Sequence, residues 1–263
     1  MDAIITAGGT MKPTDPLFAL TGVAKKALIP LAGQPMICWV IDALAHSRII
    51  DHIIVVGLEP SDLNHPYPHL HFTEARGGIV DNVFAGLDCL QKINPHVKNF
   101  LLLSSDIPLI TPDIVEGFVE ECGSQEAELY YAMVEEKTME SRFPASRRTY
   151  IPVKGGRYTG GDIFLVKVSL VVRGNVELAK AATGARKNYL QQIRLIGWSF
   201  IIRFLLRRLT VHEAASEVSA KANFDGRVVA TQYAELGMDL DKPHQYEIIK
   251  AHLESRQAQT IKE

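Results

Sequence analysis

The chain of 263 residues carries 28 Lys and Arg against 30 Asp and Glu, a formal net charge of −2, with 47% hydrophobic and 22% charged residues. These proportions exclude a disordered chain, a collagen-like repeat and a disulfide-rich secreted scaffold, and the scattered Cys38, Cys89 and Cys122 lack the spacing of bridges or a zinc site. The near-neutral sum hides an asymmetry: Arg142 to Arg208 holds 14 Lys/Arg and only two acids, Asp162 and Glu177, a local balance of +12. Charge so one-sided points to an anionic partner for that segment.

The N-terminal half alternates strand and helix. Ala3–Thr6 reads as a short buried strand that ends in Ala7-Gly8-Gly9. Pro35 suits the first turn of a helix running to about His46, with Ile37, Val40, Ile41 and Leu44 at helical spacing. Ile53–Val56 is apolar and β-branched throughout, as expected of a strand covered on both faces. Helical spacing returns at Val80, Val83, Phe84, Leu87 and Leu90. Phe100–Leu103 is another buried strand and runs into Ser104-Ser105-Asp106; Thr111 then caps a helix that opens with Pro112 and ends near Glu121. This alternation predicts an α/β fold built on a mainly parallel, doubly wound, Rossmann-like sheet. Ligands of such sheets sit at the carboxyl ends of the strands, where Gly8-Gly9 and Asp106 both fall.

The second half is less regular. Leu129–Val134, Ile163–Val166 and Arg227–Ala230 read as strands, and Lys154-Gly155-Gly156-Arg157 as a turn within a polar, basic stretch. Residues from about 174 to 222 read as a helical elaboration, in which Thr210 and Glu213 form a capping box. Asp239-Leu240-Asp241-Lys242-Pro243 precedes a final helix carrying Tyr246, Ile249 and Leu253. With no repeat and no low-complexity linker, one domain over 1–263 is expected, with a nucleotide-binding half (1–135) and an acceptor-side half (136–263). The opening residues show no secretory pattern. The apolar stretch Leu195–Ile202, broken by Arg203, falls short of the roughly 20 residues that span a bilayer, so a cytoplasmic location is expected.

Two glycines after a strand let the backbone approach a ligand and offer amide groups to phosphate, although G-x-G-x-x-G and the P-loop pattern are both absent. The continuation is more specific: Lys25-Lys26, then Leu28-Ile29-Pro30-Leu31-Ala32-Gly33-Gln34-Pro35-Met36. Here the sequence resembles the GT-A-like nucleotidyltransferases, among them molybdenum-cofactor guanylyltransferase-like enzymes and sugar-phosphate nucleotidyltransferases. Further matches follow in order. Gly77-Gly78 with Asp81-Asn82 and Gly86-Leu87 resembles the second nucleotide-contacting segment. Ser105-Asp106-Ile107-Pro108-Leu109 resembles the metal-binding D-x-P-L element, and Gly160-Gly161-Asp162 the strand beside the acceptor. Asp239-Leu240-Asp241 resembles the closing element that supplies a second metal ligand.

The resemblance implies an Mg²⁺- or Mn²⁺-dependent transfer of a nucleoside monophosphate from an NTP to a small phosphorylated acceptor, with release of pyrophosphate. It implies nucleotide contacts from Ala7, Gly8, Gly9, Lys12, Lys26, Gly78 and Asn82, metal ligation by Asp106, Asp241 and Asp239, and acceptor contacts from Gly161 and Asp162. Lys26 and Asp106 are the expected catalytic pair. The chemistry suits these types: Mg²⁺ takes one or two carboxylates plus phosphate oxygens, lysine is a point charge for phosphate, and an ionised acceptor needs no strong base. Lys12 departs from the arginine common in this loop, and a compact ammonium does not reproduce a guanidinium fork. Each residue also has a structural alternative: a plain turn at Gly8-Gly9, a loop-opening Asp106, helix-capping Asp239 and Asp241, and a solvated Lys26.

Two other functions fit parts of the pattern, a GT-A glycosyltransferase using a nucleotide-sugar and a non-catalytic nucleotide-binding regulator. Nucleic acid is not expected as a partner, since the basic run lacks a reader motif. Residues 189–208 combine Phe200 and Leu206 with Arg203, Arg207 and Arg208, which suits a core helix, a homodimer interface or contact with a membrane or lipid-linked acceptor. His65, His69 and His71 lie in a Pro-rich stretch expected to be a solvated loop.

Overall fold

A computed structural model describes residues 1–63, 67–173 and 198–260. In chain order the strands are β1 (Asp2–Thr6), β2 (Pro30–Leu31), β3 (Gln34–Pro35), β4 (Ile53–Val56), β5 (Leu70–Thr73), β6 (Asn99–Ser104), β7 (Leu129–Glu135), β8 (Ile151–Val153), β9 (Gly156–Lys167) and β10 (Gly226–Thr231). The α-helices are α1 (Pro16–Thr21), α2 (Met36–Ala45), α3 (Ile79–Ile93), α4 (Pro112–Glu121), α5 (Glu136–Arg142), α6 (Val168–Val172), α7 (Trp198–Leu205), α8 (Val211–Lys221) and α9 (Pro243–Thr260). Eight strands form one mixed sheet in the order β10-β7-β9-β6-β1-β4-β5, with β8 paired to β9. β5, β4, β1 and β6 run parallel; β9 is antiparallel to both β6 and β7, and β10 parallel to β7. The fold is the expected Rossmann-like α/β class.

The residue pattern explains the layers. Ala3, Ile4, Ile5 and Ile53–Val56 are buried on both faces of the sheet. On one face Ile37, Val40, Ile41 and Leu44 of α2 and Val115 and Phe118 of α4 close over Ala3, Ile5, Val55 and Leu101. On the other, Leu87 and Leu90 of α3 meet Ile4, Ile54, Val56 and Phe100. Each such fully buried side chain contributes about 1.5–3 kcal/mol relative to exposure. Thr111 caps α4 as expected, accepting from the Ile114 amide at 3.3 Å, and the Thr210–Glu213 capping box closes as read.

Four segments differ from the sequence reading. The first is the loop from Thr10 to Lys25. It carries α1, capped by Asp15, whose carboxylate accepts from the Leu17 amide at 2.8 Å, and ended by Gly22 at φ +69°. Leu17 is thereby buried in the core, with Phe18 packed partly against it, while Leu20 stays exposed. Second, His71 lies on edge strand β5, its ring against His52, rather than in a solvated loop; His65 lies outside the described residues. Third, the basic stretch contains α5 and β8, and β8 pairs back onto β9 around Gly155 at φ +92°. Fourth, the strand expected at Ile163–Val166 is one part of the long β9. Of the helical elaboration, residues 174–197 lie outside the described residues. The remainder forms α7 and α8, with Phe200 buried and Leu205 and Leu206 exposed. Among the described residues no helix is long and apolar enough to cross a membrane.

α9 fastens the C-terminus to the front of the sheet. Ile249 and Leu253 are fully buried against the β2–β3 region, Tyr246 Oη donates to the Pro30 carbonyl at 3.1 Å, and Gln257 donates to that of Ala32 at 3.0 Å. This return path carries Asp239 and Asp241 back to strands more than 100 residues earlier.

Candidate active site

The first loop leaves β1 in close contact with the loop after β4. The Ala7 amide still belongs to the sheet, donating to the Val56 carbonyl at 2.8 Å, so it is not free for a ligand. Gly8 then meets Gly57 backbone to backbone. A Cβ on Gly57, whose φ is +99°, would come within 2.6 Å of the Gly8 amide nitrogen, and one on Gly8 would meet Ala75 at 3.0 Å. Only glycine permits this approach. Gly57 escaped the sequence reading, although a glycine ending a buried strand beside the Gly8 strand was its signal.

Asn82 locks the second segment to the first. It is buried, its side-chain oxygen accepts from the Arg76 amide at 2.8 Å, and its Nδ2 lies beside Gly8. Gly78 forms the exposed N-cap of the 15-residue α3, which presents the positive end of its dipole to the same cleft mouth.

Lys26 is placed by backbone pairing. Its amide donates to the Gly9 carbonyl at 3.0 Å, and Thr10 bridges Lys25 in antiparallel fashion. The two lysines therefore point apart. Lys25 pairs with Asp62 at 2.7 Å, whereas Lys26 Nζ lies 2.6 Å from Asp106 Oδ2 and 2.5 Å from Asp241 Oδ1. Asp106 is further held by Ser104 Oγ, which donates to Oδ1 at 2.5 Å. Burial pulls the Lys26 ammonium downward, but Asp106 and Asp241 outweigh it and hold the group above its ordinary value. Asp241 is raised by burial and lowered more by Lys26 and Arg148, so it stays ionised below the usual carboxylate range.

Beyond this triad lies a polar chamber of about 320 Å³, lined by Arg147, Arg148, Asp162, Asp239, Asp241 and Lys242 among others. Arg147 adopts φ +50°, a turn that sets two consecutive arginines on its wall. The register of β9 against β7 shifts between Tyr131 and Met133, a bulge-like irregularity beside Gly160 to Ile163. Asp162 faces the chamber; burial first, and then the charge of Asp106, push its carboxyl up to about 7 against the opposing pull of Arg148.

The structure thus brings Lys26, Asp106, Asp162 and Asp241 together and sets Gly8, Gly9 and Asn82 beside them. Three other residues sit differently. Asp239 is nearly buried and ion-paired to Arg148, with no contact to Lys26. Gly161 points away from the chamber, where a Cβ would meet Ala132 at 3.0 Å and the Leu236 carbonyl at 3.1 Å. Lys12 is exposed on its loop and makes no ion pair with the triad. Sequence reasoning flagged the basic stretch but did not single out Arg147, Arg148 or Lys242.

The donor set fits a divalent cation. Two carboxylates from separate loops converge on one position now spanned by an ammonium, and Mg²⁺ asks for one or two carboxylates, with water and phosphate completing its shell. Among the described residues no group of three or more His, Cys, Asp or Glu side chains is placed to hold a metal ion.

Comparison with known proteins places this geometry in context. Residues 3–193 match the MobA-like NTP transferase domain. A hypothetical transferase from Thermus thermophilus is 32% identical, with a TM-score of 0.77 over 93% of this chain and 98% of that one. CMP:2-keto-3-deoxy-manno-octonic acid synthetase complexed with CTP aligns at a TM-score of 0.61 and 14% identity, covering 97% of this chain and 99% of that one. The 4-diphosphocytidyl-2C-methyl-D-erythritol synthase of Anaerococcus prevotii aligns at 0.54 and 12%, covering 96% and 95%. The last two share the fold. A search of curated proteins finds no match.

Proposed function

Because the chain belongs to the MobA-like NTP transferase family, we propose that it transfers a nucleoside monophosphate from an NTP to a small phosphorylated acceptor and releases pyrophosphate. The observation that carries this reading is the placement of Lys26 Nζ between the carboxylates of Asp106 and Asp241, at the foot of the Gly8-Gly9 loop and facing an arginine-walled chamber.

In this scheme the Gly8 and Gly9 backbone and the Gly78 end of α3 cradle the nucleotide, while Asn82 keeps both loops in register. Lys26 binds the triphosphate as a compact charge and follows the charge that builds on the phosphoryl oxygens. Arg147, Arg148 and Lys242 hold the acceptor phosphate. The attacking oxygen is already ionised, so orientation rather than proton removal is what these residues supply. A magnesium or manganese ion would be held by Asp106 and Asp241 and would neutralise phosphate charge. Asp239 orients Arg148, and Asp162 limits where an anionic acceptor can settle.

Pyrophosphate release from each of the four common NTPs, mixed with sugar, polyol and cofactor phosphates in Mg²⁺, tests the reading. At least one pair should release pyrophosphate, and Asp106→Ala should abolish it. Nucleotide-sugar hydrolysis without any pyrophosphate would identify a glycosyltransferase instead. NTP binding without turnover across the panel would identify a regulator.

A further inference from the structure

The polar chamber is bounded on one side by Tyr131. Tyr131 on β7 lines it and also lines a second, larger cavity of about 430 Å³, set between β7–β10 and the helices α7 and α8. The second cavity is walled by Met133, Val153, Tyr158, Phe200, Phe204 and Val211. Its size falls in the range of small-molecule sites, about 300–1,000 Å³.

Two segments run from the lining of one cavity to that of the other. On β9, Asp162 and Gly160 line the polar chamber and Tyr158 the apolar one. On the approach to β8, Thr149 lines the polar chamber and Ile151 the apolar one. Gly160 makes room for the Tyr131 hydroxyl, with which a Cβ there would collide, so the Tyr131 side chain stands at the boundary of the two cavities. Tyr131 itself is set by stacking on Phe164, ring centroids 5.0 Å apart and 7° from parallel. The apolar end is open at its rim, where Ile151 is 43% and Val218 39% exposed. A polar chamber that carries Arg147, Arg148 and Lys242, adjoining a hydrocarbon-walled cavity, is complementary to a molecule with the same division.

We propose that the acceptor is amphipathic: a phosphate monoester of an extended apolar group, its phosphate among Arg147, Arg148 and Lys242 and its apolar part in the cavity beyond Tyr131. This rests on the nucleotidyltransferase reading. An oxygen of the acceptor phosphate forms the new bond to the α-phosphorus of the NTP. The bond from that phosphorus to the oxygen bridging to the β-phosphate breaks, and its electron pair leaves with pyrophosphate. The product is an apolar group joined to a nucleoside through a diphosphate, and the reaction that supplies the acceptor is the phosphorylation of an apolar alcohol.

The test is calorimetric titration of the full chain with n-decyl phosphate below its micelle threshold, with methyl phosphate and with n-decyltrimethylammonium. NTP–Mg²⁺ binding is measured in parallel. Decyl phosphate should bind at least about tenfold more tightly than methyl phosphate, and more tightly than the cationic amphiphile, because several methylenes leave water. Ala215→Phe, which fills the apolar cavity, should remove the advantage and leave methyl phosphate binding unchanged. Val218→Asp at the rim gives the same readout should Ala215→Phe not fold. Equal affinity for decyl and methyl phosphate overturns the inference. So does an advantage that survives both variants, or a concentration-dependent dimer that Ala215→Phe dissolves. NTP–Mg²⁺ binding without a decyl advantage sinks the amphipathic acceptor alone. Absence of NTP–Mg²⁺ binding sinks the nucleotidyltransferase reading and leaves the decyl comparison legible.

Discussion

The Leu240 amide donates to the Asp106 carbonyl at 2.9 Å, so the backbone between Asp239 and Asp241 is bonded to the loop that carries Asp106. Through this bond two carboxylates 135 positions apart in sequence share one cation. Lys26 completes the group, and its ammonium spans the position that both carboxylates address.

A divalent cation held by Asp106 and Asp241 would compete with Lys26 for the same oxygens. Lys26→Met keeps an unbranched stem one atom shorter but leaves Asp106 and Asp241 as like charges without the ammonium between them, which a metal ion would relieve. The thermal midpoint of this variant should rise more on adding Mn²⁺ than that of the wild type. Pyrophosphate release should fall by about 100-fold or more, since a charge aimed at the phosphoryl oxygens is lost. An identical Mn²⁺ response in the two proteins would show that Asp106 and Asp241 do not share a cation site.

Arg148 and Asp239 form an ion pair with side chains only 14% and 11% exposed. Arg148→Ala leaves a nearly buried carboxylate without its partner and should cost about 3 kcal/mol in urea unfolding. Asp239→Asn should cost less, because Arg148 keeps the charges of Asp162 and Asp241 nearby, and the double variant, which removes the orphaned carboxylate, should recover part of the Arg148→Ala loss. Additive costs in this cycle would contradict the pairing.

Glu116 on α4 accepts from the Arg48 guanidinium at 2.5 and 3.0 Å and from the Arg48 amide at 2.7 Å. These hydrogen bonds hold its carboxyl down at about 2, against an ordinary value of 4.5. A carboxylate depressed in the folded state stabilises above its unfolded pKa, and the contribution is lost as pH falls through the folded one. Glu116→Gln should therefore lower the thermal midpoint by a constant amount from pH 8 to about 5.5. Below about 4.5 the gap should shrink and approach zero near pH 2. A gap that widens on acidification would refute the assignment.

The sequence by itself determined the alternation of elements and most of the residues at the strand ends. Buried strands such as Ile53–Val56 need nothing but local β-branched composition, and Thr111-Pro112 or Thr210 with Glu213 write their helix starts in a few consecutive residues. Gly8, Asn82, Asp106 and Asp241 were legible through the resemblance, whose short motifs restrict residue type over a few consecutive positions. The basic stretch was legible as a charge surplus but not as a structure. The folding of Arg147 and Arg148 onto the chamber wall depends on β8 pairing back to β9 and on a left-handed turn no local pattern announces.

The resemblance named Lys26, and tertiary structure supplied the reason that it, and not its neighbour, enters the site: Lys25 is taken up by the antiparallel bridge to Thr10 and by Asp62. It also separated Asp239 from Asp241, committing the first to Arg148 and the second to Lys26. The near-neutral sum of −2 in 263 residues carries no trace of this, since a total charge is blind to position. Only the return of α9 to the sheet sets opposite charges within hydrogen-bond reach, where burial makes their pairing matter.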